Sequence, residues 1–581
     1  MLLNTRPRLR WTALSSLLIL QLLFIALYVS LSHADAQGQT VGLFVREAGA
    51  SGGYTLFGPR ESDTSYLIDD EGSLVHSWES NAGMAPYLLE DGSIIRPVEM
   101  FNLNTVIFAA GTTGRLERTG WDGELLWAFE YAGPGYLMHH DIEVLPNGNV
   151  LIIAWEVKTA EQAIEAGRDR DLLRDDVLYP DVILEIEPTG ASGGNIVWEW
   201  RVWDHLVQNY DPDANNSGVV ADHPELIDLN FIEATSPPEG ERDWNHINSI
   251  DYNAELDQIM LSVRQFSELW VIDHSTTTEE AASHSGGSSG KGGDLLYRWG
   301  NPSAYDAGDE SDQKLFVQHD AQWIEPGLPG EGNILVFNNG TGRPEGEFST
   351  VDELVPPVDE LGNYSLTPGQ AYGPQEQVWT YRAPNPTDFY SIFISGTQRL
   401  PNGNTLIDEG GFGNFFEVTA DGETVWRYVN PVTGDGPLRQ GDPIPPFNVN
   451  FQGNFVFKIN RYAPDHPGLA GRDLTPGGVL ELPKPTPTAT NTPTVTETAI
   501  ATATPTSTPT PVIESGDVNG DGEVSAIDAA LMLQFGAGLL DSLPYPSSAD
   551  VNVDGDINSI DAALVLQFTA GLIPSLNLEF A

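Results

Sequence analysis

Residues 142–155 read IEVLPNGNVLIIAW, in which two strand-like runs flank a tight Pro-Asn-Gly turn. The same arrangement returns as TQRLPNGNTLIDEG at 397–410 and, with Asp-Gly in the turn, as YLLEDGSIIRP at 87–97. Asn-Gly and Asp-Gly supply the positive φ angles that a two-residue hairpin turn requires. These segments therefore predict a hairpin that is repeated along the chain.

A second repeated unit is a pair of strand-like runs that ends in an aromatic residue. Repeated four-stranded units with Trp-bearing outer strands are typical of propeller blades. A sandwich is the alternative, but it would not need six similar units. An outer strand pair comes first, as expected when a terminal strand closes the ring. We predict an all-β, six-bladed β-propeller from six copies, at 66–78, 116–129, 183–200, 293–299, 376–382 and 416–428.

The composition excludes several classes of function. The 581 residues carry 27 Lys+Arg against 83 Asp+Glu, a net charge of -56, which repels nucleic acid and anionic lipid. The chain contains no cysteine, so thiol nucleophiles, disulfides and Cys-ligated zinc are excluded. An anionic substrate would need a local cluster of Arg and His.

The ends of the chain indicate export and a tethered second domain. Residues 1–36 combine three arginines, an apolar run and an Ala-Asp-Ala cleavage pattern, which predicts a signal peptide or an uncleaved membrane anchor. We expect the propeller to occupy 37–482, a Thr/Pro-rich linker 483–513, and a further domain 514–581. Either reading of the N-terminus places the protein outside the cytoplasm, secreted or at the cell surface.

Three histidines fall at one register of the repeat. Counted from the hairpin turn, His140, His246 and His319 begin HDIEVLPNG, HINSIDY and HDAQWIE, although the chain has only 11 histidines. Equivalent positions at the start of innermost strands converge on the central channel. Metal binding, nucleophilic or acid–base chemistry, and a blade-stabilising His-Asp pair are the three interpretations.

The neighbours of His246 favour chemistry on an anion. Arg264 follows it by 18 residues, which places it on the next strand of the same blade, and Asn248 lies two residues on, on the same strand face. A guanidinium would be repelled by a metal cluster but suits a tetrahedral oxyanion.

Several segments together resemble the bacterial PAPS-independent arylsulfotransferases. They are MHHDIEVLPNGNVL, DWNHINSIDY with LSVRQ, FVQHDAQW with GNILVFNNG, and SGTQRLPNGNTL with FEVTADGETVWRYVNP, within residues 54–462. The resemblance implies a six-bladed propeller with its active site in the central channel. It also implies that a histidine takes the sulfuryl group from a phenolic sulfate and passes it to a phenolic acceptor without a nucleotide cofactor.

Carried over residue by residue, the resemblance makes His319 the nucleophile. The DW-H-N motif falls on His246 and Asn248, its partner arginine on Arg264, and the HHD motif on His140, with the preceding histidine as the alternative. Arg264, His140 and Asn248 would hold the sulfuryl oxygens while His246 exchanges a proton, and these supporting roles are interchangeable at this point.

Residues 517–535 and 550–568 are two copies of one calcium-loop motif, each followed by a short helical pattern. They resemble the type I dockerin, which implies two bound calcium ions, a small α-helical domain and a cohesin-bearing partner protein. The predicted ligands are Asp517, Asn519, Asp521, Glu523, Asp528, Asp550, Asn552, Asp554, Asp556 and Asp561, with Glu523 and Asp556 acting through their carbonyls.

The expected function is extracellular aryl sulfotransfer by a dockerin-tethered enzyme. A non-catalytic binding propeller attached through the dockerin is the alternative, as is a component of a polysaccharide-degrading assembly. Insertions at 157–182, 205–242 and 274–292 are expected to reshape the mouth of the channel.

Overall fold

The computed structural model describes residues 38–100, 103–232, 236–237, 240–484, 515–520, 524–536, 540, 542–552, 557–569 and 576. The chain divides into two compact units between Pro487 and Thr488. The predicted export segment lies outside the described residues, as does nearly all of the predicted linker. No helix within the described ranges has both the length and the apolar character needed to cross a bilayer.

Six antiparallel sheets form the first unit, and they confirm the predicted six-bladed propeller. From the innermost strand outward, blade 1 contains Asn460–Tyr462, Tyr54–Phe57, Thr64–Asp69 and Leu74–Glu79; blade 2 contains Tyr87–Leu88, Ile94–Glu99, Gly114–Thr119 and Leu125–Glu130; blade 3 contains Tyr136–Val144, Val150–Glu156, Asp181–Pro188 and Gly194–Arg201, with the short Ala132–Gly133 beside the first of these. Blade 4 contains Ile247–Asn253, Gln258–Val263, Glu268–Asp273 and Tyr297–Trp299; blade 5 contains His319–Trp323, Ile334–Asn338, Thr350–Leu354 and Trp379–Tyr381; blade 6 contains Gly396–Arg399, Thr405–Glu409, Asn414–Val418, Thr424–Val429 and Gly42–Arg46.

Terminal strands close the ring at two places. The late strand Asn460–Tyr462 pairs with Tyr54–Phe57 and completes blade 1 from the inside. The early strand Gly42–Arg46 pairs with Thr424–Val429 and completes blade 6 from the outside. Both closures join segments that are hundreds of residues apart, so the ring cannot open without breaking main-chain hydrogen bonds.

A tryptophan in the fourth strand of blades 2 to 6, and His76 in that of blade 1, fastens its blade to the next. In blade 4 the indole N–H of Trp299 donates to the carbonyl of Pro374, 2.9 Å away, just before the outer strand of blade 5. A buried hydrogen bond of this kind stabilises a fold by about 1 kcal/mol. We call these bonds the blade latches. The other latches, at 2.7 to 2.9 Å, run from Trp127 to Gly193, Trp200 to Gly293, Trp379 to Ala420, Trp426 to Asp70 and His76 to Trp121.

Shorter elements decorate the loops between the blade strands. Two-stranded pairs are Lys158–Thr159 with Val177–Leu178, Leu206–Val207 with Ile227–Asp228, and Val432–Thr433 with Gly436–Pro437. The α-helices of this unit are Ala160–Glu165 and Thr278–Ala281. The 3₁₀ turns are Arg170–Leu172, Arg174–Asp176, Val202–Asp204, Val220–Asp222, Arg264–Phe266, Pro302–Tyr305, Glu310–Asp312, Pro386–Asp388, Gly410–Phe412 and Pro467–Leu469.

The second unit contains two helices, Ala526–Gly536 and Ser559–Thr569, with the 3₁₀ turn Pro546–Ser548 between them. Their apolar residues meet in one small core. This arrangement confirms the predicted small helical domain. Its fully or nearly fully buried residues include Val518, Ala529, Met532, Val551, Ala562 and Val565.

Candidate active site

The innermost strands of blades 3 to 6 contain left-handed backbone within them or just before them. His140 and His246 both have φ near 53°, and Asp320 and Ile394 have φ near 50°. In blades 3, 4 and 5 the strand pairing shifts register at these positions, as at a β-bulge. A bulge re-aims the side chains beside it, and left-handed backbone in a branched residue such as Ile394 costs about 1–3 kcal/mol. Such strain is typical of functional sites.

A cavity of about 590 Å³ lies where these strand ends meet. His140, His246 and His319 line it together with Arg264, although they come from three blades and from distant parts of the sequence. All three imidazoles are buried, at 4%, 8% and 3% exposure. The structure therefore places four of the five predicted catalytic residues around one chamber.

Asn248, the fifth predicted residue, does not line this cavity. Its Nδ2 donates to the carbonyl of Gln318 at 2.8 Å, and the side chain is completely buried. Gln318 immediately precedes His319. The contact therefore joins blade 4 to the backbone that carries the predicted nucleophile.

Hydrogen bonds fix the tautomer of His319. The Oδ1 of Asn339 lies 2.8 Å from His319 Nδ1, while Asn339 Nδ2 donates to the carbonyls of Ser391 and Ile394, at 2.7 and 2.9 Å. The amide oxygen can only accept, so Nδ1 carries the proton and Nε2 carries a lone pair. The backbone N–H of Ile394 donates to that lone pair at 3.2 Å. Burial and the positive charge of Arg264 lower the pKa of His319 to about 3, which keeps the imidazole neutral.

His246 forms a pair with a carboxylate. Its Nδ1 lies 2.5 Å from Oδ2 of Asp243, whose Oδ1 accepts a hydrogen bond from the indole of Trp155 at 2.8 Å. The aspartate holds the ring orientation and would stabilise an imidazolium, as in other His-Asp pairs of acid–base sites. Asp243 is a residue that the sequence analysis did not single out.

His140 ends a buried chain of hydrogen bonds. Its Nδ1 lies 2.7 Å from Nδ1 of His139, and His139 Nε2 lies 2.8 Å from Oδ1 of Asp181. Burial and the charge of Asp243 raise the pKa of Asp181 well above its usual range, and burial lowers the pKa of both histidines. With a proton on Asp181, the carboxyl would donate to His139, His139 would donate to His140, and Nε2–H of His140 would then be a neutral donor.

Gly111 must be glycine for His140 to occupy this place. It has φ of 83°, and a Cβ on it would lie 2.1 Å from the His140 ring. Its carbonyl accepts the N–H of His140 at 2.9 Å. The loop that carries Gly111 therefore packs directly against the His140 ring and forms one wall of the chamber.

Six phenylalanines also line the chamber, beside charged and small residues. Phe451 and Phe455 lie 5.2 Å apart between ring centroids, and Phe393 lies 5.9 Å from Phe451. The guanidinium of Arg264 lies 5.1 Å from the centroid of Phe393. Apolar rings beside fixed polar groups suit a flat organic anion. The phenylalanines that line the chamber are Phe108, Phe393, Phe447, Phe451, Phe455 and Phe457.

Asp141 and Asp320, the aspartates that directly follow His140 and His319, bind a lysine and not those histidines. Asp320 lies 2.6 Å and Asp141 lies 3.5 Å from the buried ammonium group of Lys458, and Tyr87 donates to Asp141. The opposite charges raise the pKa of Lys458, which therefore stays charged. The blade-stabilising role therefore belongs to Asp141 and Asp320 and not to the histidines. Through Lys458 these aspartates connect blades 3 and 5 to the segment that closes the ring.

In the helical unit the twelfth residue of each loop is fully buried. Asp528 accepts hydrogen bonds from the N–H groups of Val518 and Ser525, at 2.9 Å each. Asp561 repeats this with Val551 and Asn558, at 3.0 and 2.9 Å. These all-oxygen loops fit a hard cation such as calcium. Of the predicted ligands, Asp517, Asn519, Asp528, Asp550, Asn552 and Asp561 are described, whereas Asp521, Glu523, Asp554 and Asp556 lie outside the described residues.

Comparison with known proteins gives matches for both units. Residues 61–435 match the family model "Arylsulfotransferase (ASST)" and residues 515–568 match "Dockerin type I domain". The arylsulfate sulfotransferase AssT of Escherichia coli O6:H1 strain CFT073 is 27% identical over 307 residues, which are 48% of this chain and 46% of that relative. The alignment thus spans about half the length of the curated relative.

Solved structures also resemble parts of the chain. A protein of unknown function from Bacteroides caccae is 13% identical with a TM-score of 0.36, over 71% of this chain and 99% of that one. A structure of a cohesin, ScaC, in complex with the ScaB dockerin from Acetivibrio cellulolyticus is 36% identical, with a TM-score of 0.12, over 12% of this chain and 100% of that one. These TM-scores are too low to support an argument.

The family model matches more than half of the chain, and its match extends from blade 1 into blade 6. The chamber carries a neutral buried histidine, an arginine and a ring of phenylalanines. The protein therefore belongs to the arylsulfotransferase family and carries a type I dockerin domain.

Proposed function

We propose that the protein transfers a sulfuryl group from a phenolic sulfate ester to a phenolic acceptor through a sulfohistidine on His319. One observation carries this proposal: His319 presents an unprotonated Nε2 to a chamber that also holds Arg264 and aromatic rings. A neutral imidazole with a fixed lone pair is a nucleophile that needs no prior deprotonation.

In the first half-reaction, Nε2 of His319 attacks sulfur as the bond from sulfur to the phenolic oxygen breaks. Arg264 and Nε2–H of His140 hold the sulfuryl oxygens, where negative charge must be stabilised. His246, supported by Asp243, protonates the departing phenolate. The product phenol leaves and the sulfuryl group stays on His319.

In the second half-reaction, an acceptor phenol takes the place of the first. His246 removes its proton, its oxygen attacks sulfur, and the bond between sulfur and Nε2 breaks. His319 is restored as a neutral imidazole. The phenylalanines of the chamber support aryl groups as both donor and acceptor because they offer apolar faces of matching shape.

Asn248 acts on His319 through the backbone of Gln318 in this scheme. Its bond to the carbonyl of Gln318 fixes the backbone before His319, so we assign it to positioning rather than to contact with the substrate. The sequence-based expectation that its amide binds sulfuryl oxygens stays a prediction.

We further propose that the dockerin attaches the enzyme to a cohesin-bearing protein outside the cytoplasm. The predicted export segment and the Thr/Pro-rich linker support this location, and two calcium ions would order the loops that contain Asp528 and Asp561.

The assay that tests the activity uses p-nitrophenyl sulfate as donor and a phenol as acceptor. We expect nitrophenolate release that depends on the acceptor and disappears in His319→Ala. His223→Ala is the matched control, since His223 is partly exposed and pairs with Glu225 outside the chamber. No release from any of a panel of aryl sulfates would instead favour a binding propeller.

A further inference from the structure

A second group of histidines lies outside the active site, at the junction of blades 3 and 4. Asp294 Oδ1 is 2.9 Å from Nδ1 of His205 and 2.7 Å from Nδ1 of His284. The ligand atoms that these three residues offer all lie within 4.8 Å of one another. His205 follows the outer strand of blade 3, whereas His284 and Asp294 belong to an insertion within blade 4.

The hydrogen-bond partners of His205 leave its second nitrogen without a proton. Its Nε2 lies 2.8 Å from the carbonyl of Ala281, which can only accept, so Nε2 carries the hydrogen. In a neutral ring Nδ1 then has a lone pair, and that lone pair points at a carboxylate oxygen. Two acceptors at 2.9 Å repel each other unless a cation lies between them.

A proton on Asp294 or on His205 would also satisfy this contact. The first would leave a neutral carboxyl on a side chain that is 9% exposed, and the second would place an imidazolium on a side chain with no exposed surface. A cation that is shared with a third ligand removes the same repulsion without charging the ring. His284 is positioned to be that third ligand.

We propose that His205, His284 and Asp294 bind a zinc ion. Two imidazole nitrogens and one carboxylate oxygen are a donor set that suits zinc, and a water on the exposed side would complete a tetrahedron. Bonds of ~2.0–2.2 Å place tetrahedral ligand atoms roughly 3.3 Å apart. The two histidine–carboxylate distances would need to lengthen from 2.9 and 2.7 Å, and the two imidazole nitrogens, which lie within 4.8 Å of each other, would need to reach the same spacing.

The zinc would fasten the insertion to blade 3 at one of the blade latches. Trp200 donates to the carbonyl of Gly293 at 2.7 Å, and its ring stacks on His205 at 5.7 Å between centroids. The loop 282–293, ASHSGGSSGKGG, has five glycines and four serines and only one apolar side chain, Ala282. Ordering such a loop is entropically costly, and a metal ligand within it offsets part of that cost. In a chain without cysteine, a His/Asp site is the available route to structural zinc.

The test uses the full chain in millimolar calcium, with and without zinc chloride, and reads out two quantities. One is bound zinc per chain after desalting, and the other is the rate of tryptic cleavage after Lys291, an exposed lysine in the loop. We expect one zinc per chain. At free zinc 100-fold above the Kd, cleavage should slow by a factor on the order of 100.

His284→Ala is the informative variant, because its side chain is 62% exposed and its loss should leave the fold intact. This variant should bind no zinc, and zinc should not slow its cleavage at Lys291. His223→Ala, which removes a neighbouring histidine outside the cluster, should behave as the wild type.

Three outcomes would overturn the proposal. The wild type would bind no zinc, which would mean that a proton and not a metal joins His205 to Asp294. His284→Ala would retain both the zinc and the protection. Or His246→Ala, but not His284→Ala, would lose the metal, which would place it among the histidines of the chamber.

Discussion

At the scale of single residues, the proton positions on three imidazoles decide their roles. They determine which imidazole can attack sulfur, which can donate a hydrogen bond and which can exchange a proton with the phenol. Asn339 leaves Nε2 of His319 unprotonated, Asp243 supports charge on His246, and Asp181 orders His140 as a donor. Asn339 and Asp181 are buried and lie at least 20 residues along the chain from the histidines they order, whereas Asp243 lies three residues before His246. Their contribution is to remove the choice of tautomer before the substrate arrives.

The chain from Asp181 to His140 leads to a prediction about two matched aspartates. Asp181→Asn should keep transferase activity close to the wild-type value, because an amide donates to His139 as the protonated carboxyl does. Asp243→Asn should lower it by about 10²–10⁴-fold, because the amide no longer stabilises a charged His246. Turnover of a phenyl sulfate by the two purified variants measures both.

Two results would contradict this prediction about the aspartates. A large loss of activity in Asp181→Asn would mean that Asp181 is ionised and that His140 presents a lone pair instead of a donor. Equal losses in both variants would remove the distinction between the two aspartates.

His319 also leads to a prediction about stability and pH. Its pKa is about 3 in the folded chain against about 6.5 in the unfolded chain. The unfolded chain therefore binds the proton first, and the free energy of unfolding falls as the pH drops through about 6.5, until about pH 3. At about pH 5 this histidine should cost about 2 kcal/mol relative to neutral pH.

His319→Asn should remove that share of the acid sensitivity. Urea unfolding at about pH 7 and about pH 5 measures it through tryptophan fluorescence, which reports only the propeller because residues 488–581 contain no Trp. His139 and His140 also have lowered pKa values, so part of the pH dependence should remain. An unchanged pH dependence in His319→Asn would show that His319 is not neutral through burial.

At the scale of elements, the blade latches explain why five of the six blades carry a tryptophan in the fourth strand that donates to the next blade. Trp299→Phe should lower the free energy of unfolding by about 1–3 kcal/mol, because it leaves the carbonyl of Pro374 without its donor. Trp78→Phe is the matched control: Trp78 is equally buried, but its N–H has no hydrogen-bond partner among the described residues. Urea unfolding compares the two, and equal losses would mean that the latches act only through ring packing.

Much of the blade architecture could be predicted from the sequence. The hairpins were visible because Asn-Gly turns and alternating strands are local signals, and 142–155 and 397–410 do form paired strands. The three histidines were visible because the turn gives each repeat a common origin for counting. Asn339 and Lys458 were not, because each acts on another segment and has no repeated motif of its own. Asp243 was not, because its pairing with His246 is not repeated at His140 or His319.

The aromatic chamber was not predicted either. Its phenylalanines at 447, 451, 455 and 457 come from one irregular segment, PFNVNFQGNFVFK, which has no counterpart in the other repeats. Spacings of 4, 4 and 2 match neither a helix nor a strand throughout. Only the closed ring brings this segment opposite the histidines.

At the scale of the whole molecule, the two units should respond separately to calcium. Removal of calcium with EGTA should abolish binding to a type I cohesin and leave sulfuryl transfer unchanged, because the chamber contains none of the predicted calcium ligands. The double variant Asp528→Ala/Asp561→Ala should behave as the chelated protein does. An assay of cohesin capture beside transferase turnover measures both, and loss of transferase activity on chelation would contradict this independence.

The net charge of -56 makes the location of the arginines informative. Arg60, Arg242 and Arg264 line the chamber, but so do Glu61, Glu241 and Asp243. A sulfate ester that approaches an acidic protein is repelled at long range, so its attraction must come from short-range contact with an arginine such as Arg264.

A search for the covalent intermediate tests the proposed sulfohistidine on His319 directly. The full chain would be mixed with a phenolic sulfate without acceptor, quenched at alkaline pH, digested and analysed by tandem mass spectrometry. We predict one sulfuryl group on Nε2 of His319, which disappears when a phenol is added before the quench. An unmodified His319 under conditions where the first phenol is released, or a sulfuryl group on His140 or His246 instead, would contradict the account.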